Sequence, residues 1–288
     1  MKRTPAVLLL LLLTLLTLPC LALAEADTGG VATPAMDMSL EEAAAQGLLP
    51  ELPVDDAAVT PFQPDTLEKT VVGADNRTTI SSPRTYPYSA IAYMQVKARC
   101  GCEWTGSGFM VSKDCLMTGA HCVACTKHGD TACNITLYFG YKSNKNYLLK
   151  YDGATTYWYG TNFRDSQGTY NTDWDYAYVH LEKNVGDTTG WFGLTAMSDS
   201  SLRTSYLEVA GYRRGELKTS HGHVPGVWDL VLFHDADTEH GYSGCPIFNN
   251  DYYVVAINVA GDNWMGCNTG RRITPELISE MRSNGMFN

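Results

Sequence analysis

Basic residues are in short supply. The 288-residue chain carries 21 Lys and Arg against 31 Asp and Glu, a formal net charge of −10. Nucleic acid and anionic membranes are normally met by a basic face, so this balance argues against both as partners. A phosphate-cradling glycine loop is also missing, as is any internal repeat. No amphipathic helical period is sustained before the last fifteen residues. Charged residues make up only 18% and hydrophobic ones 44%, a globular composition that can bury a real core.

The N-terminal segment is not part of that core. Lys2 and Arg3 precede an apolar run from Ala6 to Leu23, which ends in the small-x-small sequence Ala22-Leu23-Ala24. This reads as a secretory signal over residues 1–24, with a retained membrane anchor as the alternative. Residues 25–69 hold ten acids, one lysine and prolines at 34, 50, 53, 61 and 64. Within them only Ser39-Leu40-Glu41-Glu42, a capping box, promises a short helix. The segment reads as an acidic propeptide removed near Lys69, or as a disordered linker. Without both segments 21 acids face 18 bases, so the mature part, residues 70–288, is nearly neutral.

From Val71 onward the pattern is all-β. Runs such as "SAIAYMQV", "DYAYVHLE", "YLEVAGY" and "YYVVAINVAG" are rich in Val, Ile, Tyr and Phe and are separated by Gly, Asn, Asp and Ser clusters. The exception is the C-terminus. Thr274 is placed to cap, Pro275 suits a first helical position, and apolar residues recur at helical spacing to about residue 284.

Eight cysteines follow the leader: 100, 102, 115, 122, 125, 133, 245 and 267. An even number in an exported chain implies disulfides. Cys245 and Cys267 stand apart from the other six and are expected to pair. Cys100-x-Cys102 and Cys122-x-x-Cys125 also have the spacing of zinc-ligand pairs, a minority reading in an oxidising compartment.

The chemistry concentrates in "DTEHGYSGCPIF", residues 237–248. Glycines on both sides of Ser243 leave backbone N–H groups unscreened beside a hydroxyl. A serine nucleophile needs a general base, held by a carboxylate in the right tautomer. "MTGAHCV" offers His121 after a small-residue turn, and "NTDWDYAYVHLE" offers Asp175 at the mouth of a strand, with Asp173 as its rival. Each motif alone is more often a turn, a surface histidine or a strand start. In the order His, Asp, Ser they become specific.

"TGAHC", "DYAYV" and "GYSGCPIF" resemble the three catalytic blocks of chymotrypsin-fold serine endopeptidases, closer to the bacterial V8-like glutamyl endopeptidase branch than to animal trypsins. "VVGADNRTTI", "VGDTTGWFGL" and "GRRITPELI" resemble that branch in order and spacing, so the likeness spans roughly residues 70–286. It implies two six-stranded antiparallel β-barrels, the first over about 70–185, the second over about 190–273, and a C-terminal helix over about 275–284. His121 would be the base, Asp175 its orienting acid and Ser243 the nucleophile. The N–H groups of Gly241 and Ser243 would form the oxyanion hole. Asp237, Thr238 and Asn258 would line the specificity pocket.

Two departures qualify the likeness. Tyr242 stands where animal enzymes carry an aspartate that captures a freed N-terminus, and Asn258 stands where glutamate-preferring members carry a histidine. The expectation is therefore a secreted, monomeric serine endopeptidase acting on protein or peptide substrates, with no metal or cofactor and no marked preference for glutamate. A catalytically inactive binding protein on the same fold is the alternative. A Gly-x-Ser-x-Gly hydrolase elbow is not formed, because position 245 is Cys.

Overall fold

The computed structural model of the protein describes residues 77–125, 128, 130–164, 170–261 and 267–287. The expected leader, the propeptide, the helix start at Ser39 and the maturation point near Lys69 lie outside these residues. Two curled, almost wholly antiparallel sheets carry the described chain.

A two-residue strand, β1 (Thr78–Thr79), precedes the first sheet in the chain. That sheet contains β2 (Ile91–Ala98), β3 (Glu103–Met110), β4 (Cys115–Thr118), β5 (Ala132–Phe139), β6 (Leu149–Ala154), β7 (Thr156–Tyr159) and β8 (Ala177–His180). Its order is β6-β5-β2-β3-β4-β8-β7. β6 and β7 are one stretch of chain broken only at Thr155, yet β6 pairs with β5 at one edge and β7 with β8 at the other. One bent strand thus closes the sheet on itself, with Gly153 at φ +79° at the bend. Counted this way the sheet has the six strands expected.

The second sheet is built from β9 (Gly193–Leu194), β10 (Tyr206–Arg213), β11 (Glu216–His223), β12 (Gly226–Val227), β13 (Val231–His234), β14 (Pro246–Phe248), β15 (Tyr253–Ala260) and β16 (Asn268–Arg272). Its order is β1-β11-β10-β14-β15-β16-β13-β12, with β9 parallel to β15. The three extra strands beyond six, β1, β9 and β12, are two residues each. The chain passes between sheets through a short helix, α1 (Gly186–Thr189), and a second, α2 (Asp199–Arg203), precedes β10.

Alternation decides what each strand buries. In β2, Met94, Val96 and Ala98 are buried while Gln95 and Lys97 are exposed. Met94 and Val96 join a core that includes Phe109, Leu116, Tyr178 and Phe192, and a smaller core around Leu207, Val209, Tyr242 and Val255 fills the second sheet. The C-terminal helix α3 (Pro275–Ser283) starts as the sequence predicts, with Thr274 accepting from the Leu277 N–H and Pro275 in the first turn. It buries Leu277, Ile278 and Met281, worth about 1.5–3 kcal/mol each in area terms. Glu280 on the same helix accepts from the hydroxyls of Tyr176 and Tyr178, both at 2.8 Å. These bonds anchor the strand that directly follows Asp175.

Candidate active site

β4 ends at Thr118, and a single helical turn, Ala120–Cys122, then carries His121. Asp175 follows another such turn, Thr172–Trp174, at the entry to β8. Because β4 and β8 pair, with Thr118 opposite Ala177, the two turns emerge side by side. Gly119 makes room between them: a Cβ there would lie 3.1 Å from the His121 ring and 3.2 Å from the Asp175 carboxylate.

Asp175 is fully buried. Its Oδ1 accepts from the His121 backbone N–H at 2.9 Å, and its Oδ2 lies 2.6 Å from His121 Nδ1. Both bonds fix the imidazole with Nε2 turned away from the carboxylate. A third donor, the Tyr170 hydroxyl, bonds Asp175 Oδ2 and sits 3.2 Å from the Val259 carbonyl. The Tyr170 ring meets the His121 ring edge-on at 6.0 Å. Burial is the largest single influence on the His121 pKa and works to lower it, but the Asp175 carboxylate and, after it, Cys122 together hold the pKa above the ordinary imidazole range. The hydroxyl of Tyr170 is pushed up, by burial first and then by Asp175.

Asp173 takes no part in this arrangement. Its backbone N–H donates to Asn171 Oδ1, its carbonyl accepts from the buried Arg271, and burial raises its carboxyl pKa against the pull of Arg271.

Ser243 sits on a loop held from below by one buried residue, Ser107. The Ser107 N–H donates to the Ser243 carbonyl at 2.8 Å. Its hydroxyl donates to the Gly241 carbonyl at 2.8 Å and accepts from the Tyr212 N–H at 2.8 Å. Gly244 N–H donates to the Asn258 carbonyl and Cys245 N–H to the Tyr242 carbonyl. The N–H groups of Gly241 and Ser243 donate to no described acceptor, so both remain available at the loop's surface. Gly241 has φ +105°, and a Cβ on it would fall 2.5 Å from the Tyr212 carbonyl. Gly244, at φ +82°, would place a Cβ 2.1 Å from Thr118 Oγ1. Only glycine fits at either position, and this is the physical reason for the glycines flanking Ser243.

Ser243 and His121 open on one cavity of about 620 Å³, together with Trp104, Arg213, His240 and Gly241. Among the described residues, the Ser243 hydroxyl makes no hydrogen bond to His121, whose Nε2 lies 3.7 Å from Cys122 Sγ. Catalytic hydrogen bonds of this kind often tighten only with substrate.

The pocket residues are arranged differently. Asp237 and Thr238 are partly buried outside that cavity, and the Asp237 N–H donates to Ser220 Oγ. Asn258 is buried, donating from Nδ2 to the Tyr242 carbonyl at 3.3 Å and facing His234 Nε2 with Oδ1 at 3.1 Å. Burial drives the His234 pKa down to about 4, despite its bond to Asn258. Residues 262–266 lie outside the described set.

The structure does not show the expected disulfide between Cys245 and Cys267. Cys245 is buried in the second core with Tyr242 and Leu207, whereas Cys267 is partly exposed just before β16.

Three residues of the site were missed in the sequence. Ser107 lies in "TGSGF", where flanking glycines were a usable signal; Tyr170 and His234 carry none.

The model of the trypsin-like peptidase domain matches residues 106–257. Two relatives each align with 74% of this chain and 68% of their own length: the extracellular metalloprotease of Bacillus subtilis (strain 168), 26% identical over 223 residues, and the glutamyl endopeptidase of Bacillus licheniformis, 27% identical over 226. Among solved structures, a Glu endopeptidase in complex with MPD superposes with a TM-score of 0.65 at 19% identity, covering 75% of this chain and 100% of that one. The protease Anisep from Arthrobacter nicotinovorans does so with a TM-score of 0.59 at 17% identity, covering 72% and 98%. Both likenesses bear on the fold. With its match over more than half its length, the chain belongs to the trypsin-like peptidase family and is a serine endopeptidase of the chymotrypsin fold, with V8-like relatives.

Proposed function

We propose that this endopeptidase cleaves protein or peptide substrates through an acyl-enzyme on Ser243, with His121 as general base and Asp175 as its orienting acid. One observation carries the reading: His121 is clamped by Asp175 on its Nδ1 side and opens on a cavity it shares with Ser243, beside two N–H groups with no described acceptor.

In the first half-reaction Ser243 Oγ attacks the scissile carbonyl and His121 Nε2 takes the hydroxyl proton. The resulting imidazolium is stabilised by the Asp175 carboxylate, which keeps its own negative charge. The carbonyl oxygen becomes an oxyanion facing the N–H groups of Gly241 and Ser243; losing one such donor typically costs about a hundred- to a thousandfold in rate. His121 then protonates the leaving amine, the C–N bond breaks, and water repeats the sequence to release the acid and restore Ser243.

Residues 1–24 and 25–69 support export as a precursor that is matured near Lys69. No helix among the described residues is long and apolar enough to cross a membrane. The deciding experiment is labelling of the purified mature protein with a peptidyl phosphonate, followed by peptide mapping. An adduct on Ser243, absent from Ser243→Ala, is expected. Failure to label, together with no peptide hydrolysis, would leave a non-catalytic binding protein on this fold. N-terminal sequencing of exported protein should find a start near residue 70; a start near Glu25 would count against the propeptide.

A further inference from the structure

The hydrolytic site leaves one cluster of reactive side chains without a role. Cys100, Cys102, Cys125 and His128 converge so that their four candidate donor atoms all lie within 4.8 Å of one another. His128 Nδ1 is 3.4 Å from Cys102 Sγ and 3.6 Å from Cys125 Sγ. We propose that these four residues bind one zinc ion, which fastens the β2–β3 turn to the segment that follows His121.

The two nitrogen–sulfur distances match a tetrahedral site. Zinc bonds of about 2.3 Å to sulfur and about 2.0 Å to nitrogen, at tetrahedral angles, place sulfur and nitrogen about 3.5 Å apart. Both observed separations fall within about 0.1 Å of that value.

The backbone is shaped for the purpose on both arms. Between β2 and β3 the chain turns through Gly101 at φ +81°, with Ala98 N–H donating to the Cys102 carbonyl and Gly101 N–H to the Ala98 carbonyl. The turn brings Cys100 and Cys102 to one end of the hairpin. On the other arm, Cys125 N–H donates to the Asp130 carbonyl at 2.6 Å and Ala124 bridges Thr131, closing a short loop that bears Cys125 and His128. Arg99 N–H donates to the Thr131 carbonyl and joins the two arms.

A disulfide does not account for this set. Any bond between two of the three sulfurs would leave the third, and an imidazole nitrogen, gathered at the same point without function. Three thiolates and one imidazole are instead a soft donor set suited to zinc, and four protein ligands fill the tetrahedron. With no position left for water the ion is structural, so the serine chemistry does not run through it. Its place explains its use: Cys102 and Cys125 line the same cavity as His121, and a metal there stiffens the wall beside the base. The spacing Cys122-x-x-Cys125 suggested by the sequence is replaced by Cys125-x-x-His128, since Cys122 lies against His121 instead.

The test is metal analysis of the full mature enzyme, purified without chelator and passed over a chelating resin. About one zinc per chain is expected, with at least a tenfold loss in Cys102→Ser and in His128→Ala. Cys133→Ser, whose sulfur lies outside the cluster, should retain the metal, as should the inactive Ser243→Ala. Cobalt(II) exchanged into the wild-type protein should give the intense absorption of a tetrahedral thiolate site, a readout that needs no variant to fold. Wild-type enzyme with neither zinc nor a cobalt spectrum would overturn the proposal. So would a disulfide joining two of Cys100, Cys102 and Cys125 in a non-reducing peptide map, full zinc in either ligand variant, or copper or iron in place of zinc.

Discussion

The amide of Ser107 donates to the carbonyl of Ser243 at 2.8 Å, so a strand of the first sheet holds the nucleophile loop of the second. The Ser107 hydroxyl adds two more ties, to Gly241 and to Tyr212. Removing that hydroxyl leaves a buried carbonyl and a buried N–H short of a partner, a loss of about 1–3 kcal/mol. It also frees the Gly241 carbonyl, whose peptide lies between the two proposed oxyanion donors, the N–H groups of Gly241 and Ser243. Ser107→Ala should therefore lower kcat about ten- to a hundredfold with KM little changed, and lower the denaturant midpoint as well. A stability loss with kcat intact would restrict Ser107 to a packing role.

The clamp on His121 makes a separate demand. Ser243→Ala and His121→Ala should each reduce turnover by about four or more orders of magnitude, with little further loss when combined, because the groups act as one unit. Asp175→Asn should cost far more than Asp173→Asn, since only Asp175 touches the imidazole. Steady-state kinetics on a single peptide substrate ranks all five variants, and the reverse order for the two aspartates would move the orienting role to Asp173.

In the proposed mechanism His121 must be neutral to accept the proton from Ser243. Its pKa is raised by Asp175, so activity should be lost as pH falls through a value above the ordinary 6.5 of free imidazole. Replacing Asp175 with Asn removes the larger raising charge and leaves burial, the largest influence, opposed only by Cys122. The acid limb of kcat/KM should then move to lower pH even as the maximum falls. An unmoved limb would assign the titration to another group.

Much of this was legible in the sequence, for physical reasons that differ by element. The helix α3 declared itself through Thr274, Pro275 and an apolar face, all local signals. The glycines around Ser243 were legible because a positive φ and a 2 Å clearance admit nothing else. The closure of the first sheet by one bent strand was not, because Leu149–Tyr159 reads as a single run and nothing in it shows that its two halves pair at opposite edges. Tyr170 was hidden for a similar reason: it reaches Asp175 from a loop whose sequence shows no pattern. The gathering of Cys100, Cys102 and Cys125 around His128 was not legible, because parity suggests only pairs and the hairpin turn and the loop after His121 meet only in the fold.

Substrate preference supplies the last prediction. A glutamate side chain entering beside Asn258 needs an opposing cation. The amide of Asn258 carries no charge, and its Nδ2 already donates to the Tyr242 carbonyl. Its neighbour His234 is buried, with a pKa near 4 set by desolvation against smaller raising effects from Asn258 and Asp235, so it is neutral throughout the working range. Lowering the pH does not recruit it, because a glutamate side chain, with an ordinary pKa of about 4.3, loses its own charge over the same interval. Asp237, outside the cavity shared by Ser243 and His121, supplies no cation either, so nothing described at Asn258 favours glutamate over neutral polar residues. A panel of fluorogenic peptides differing only in the residue before the cut should show Glu no better than Gln at neutral pH. A preference for Glu of tenfold or more, about 1.4 kcal/mol of discrimination, would mean that a cation outside Asn258 and His234, with exposed His240 the first to replace, serves the pocket.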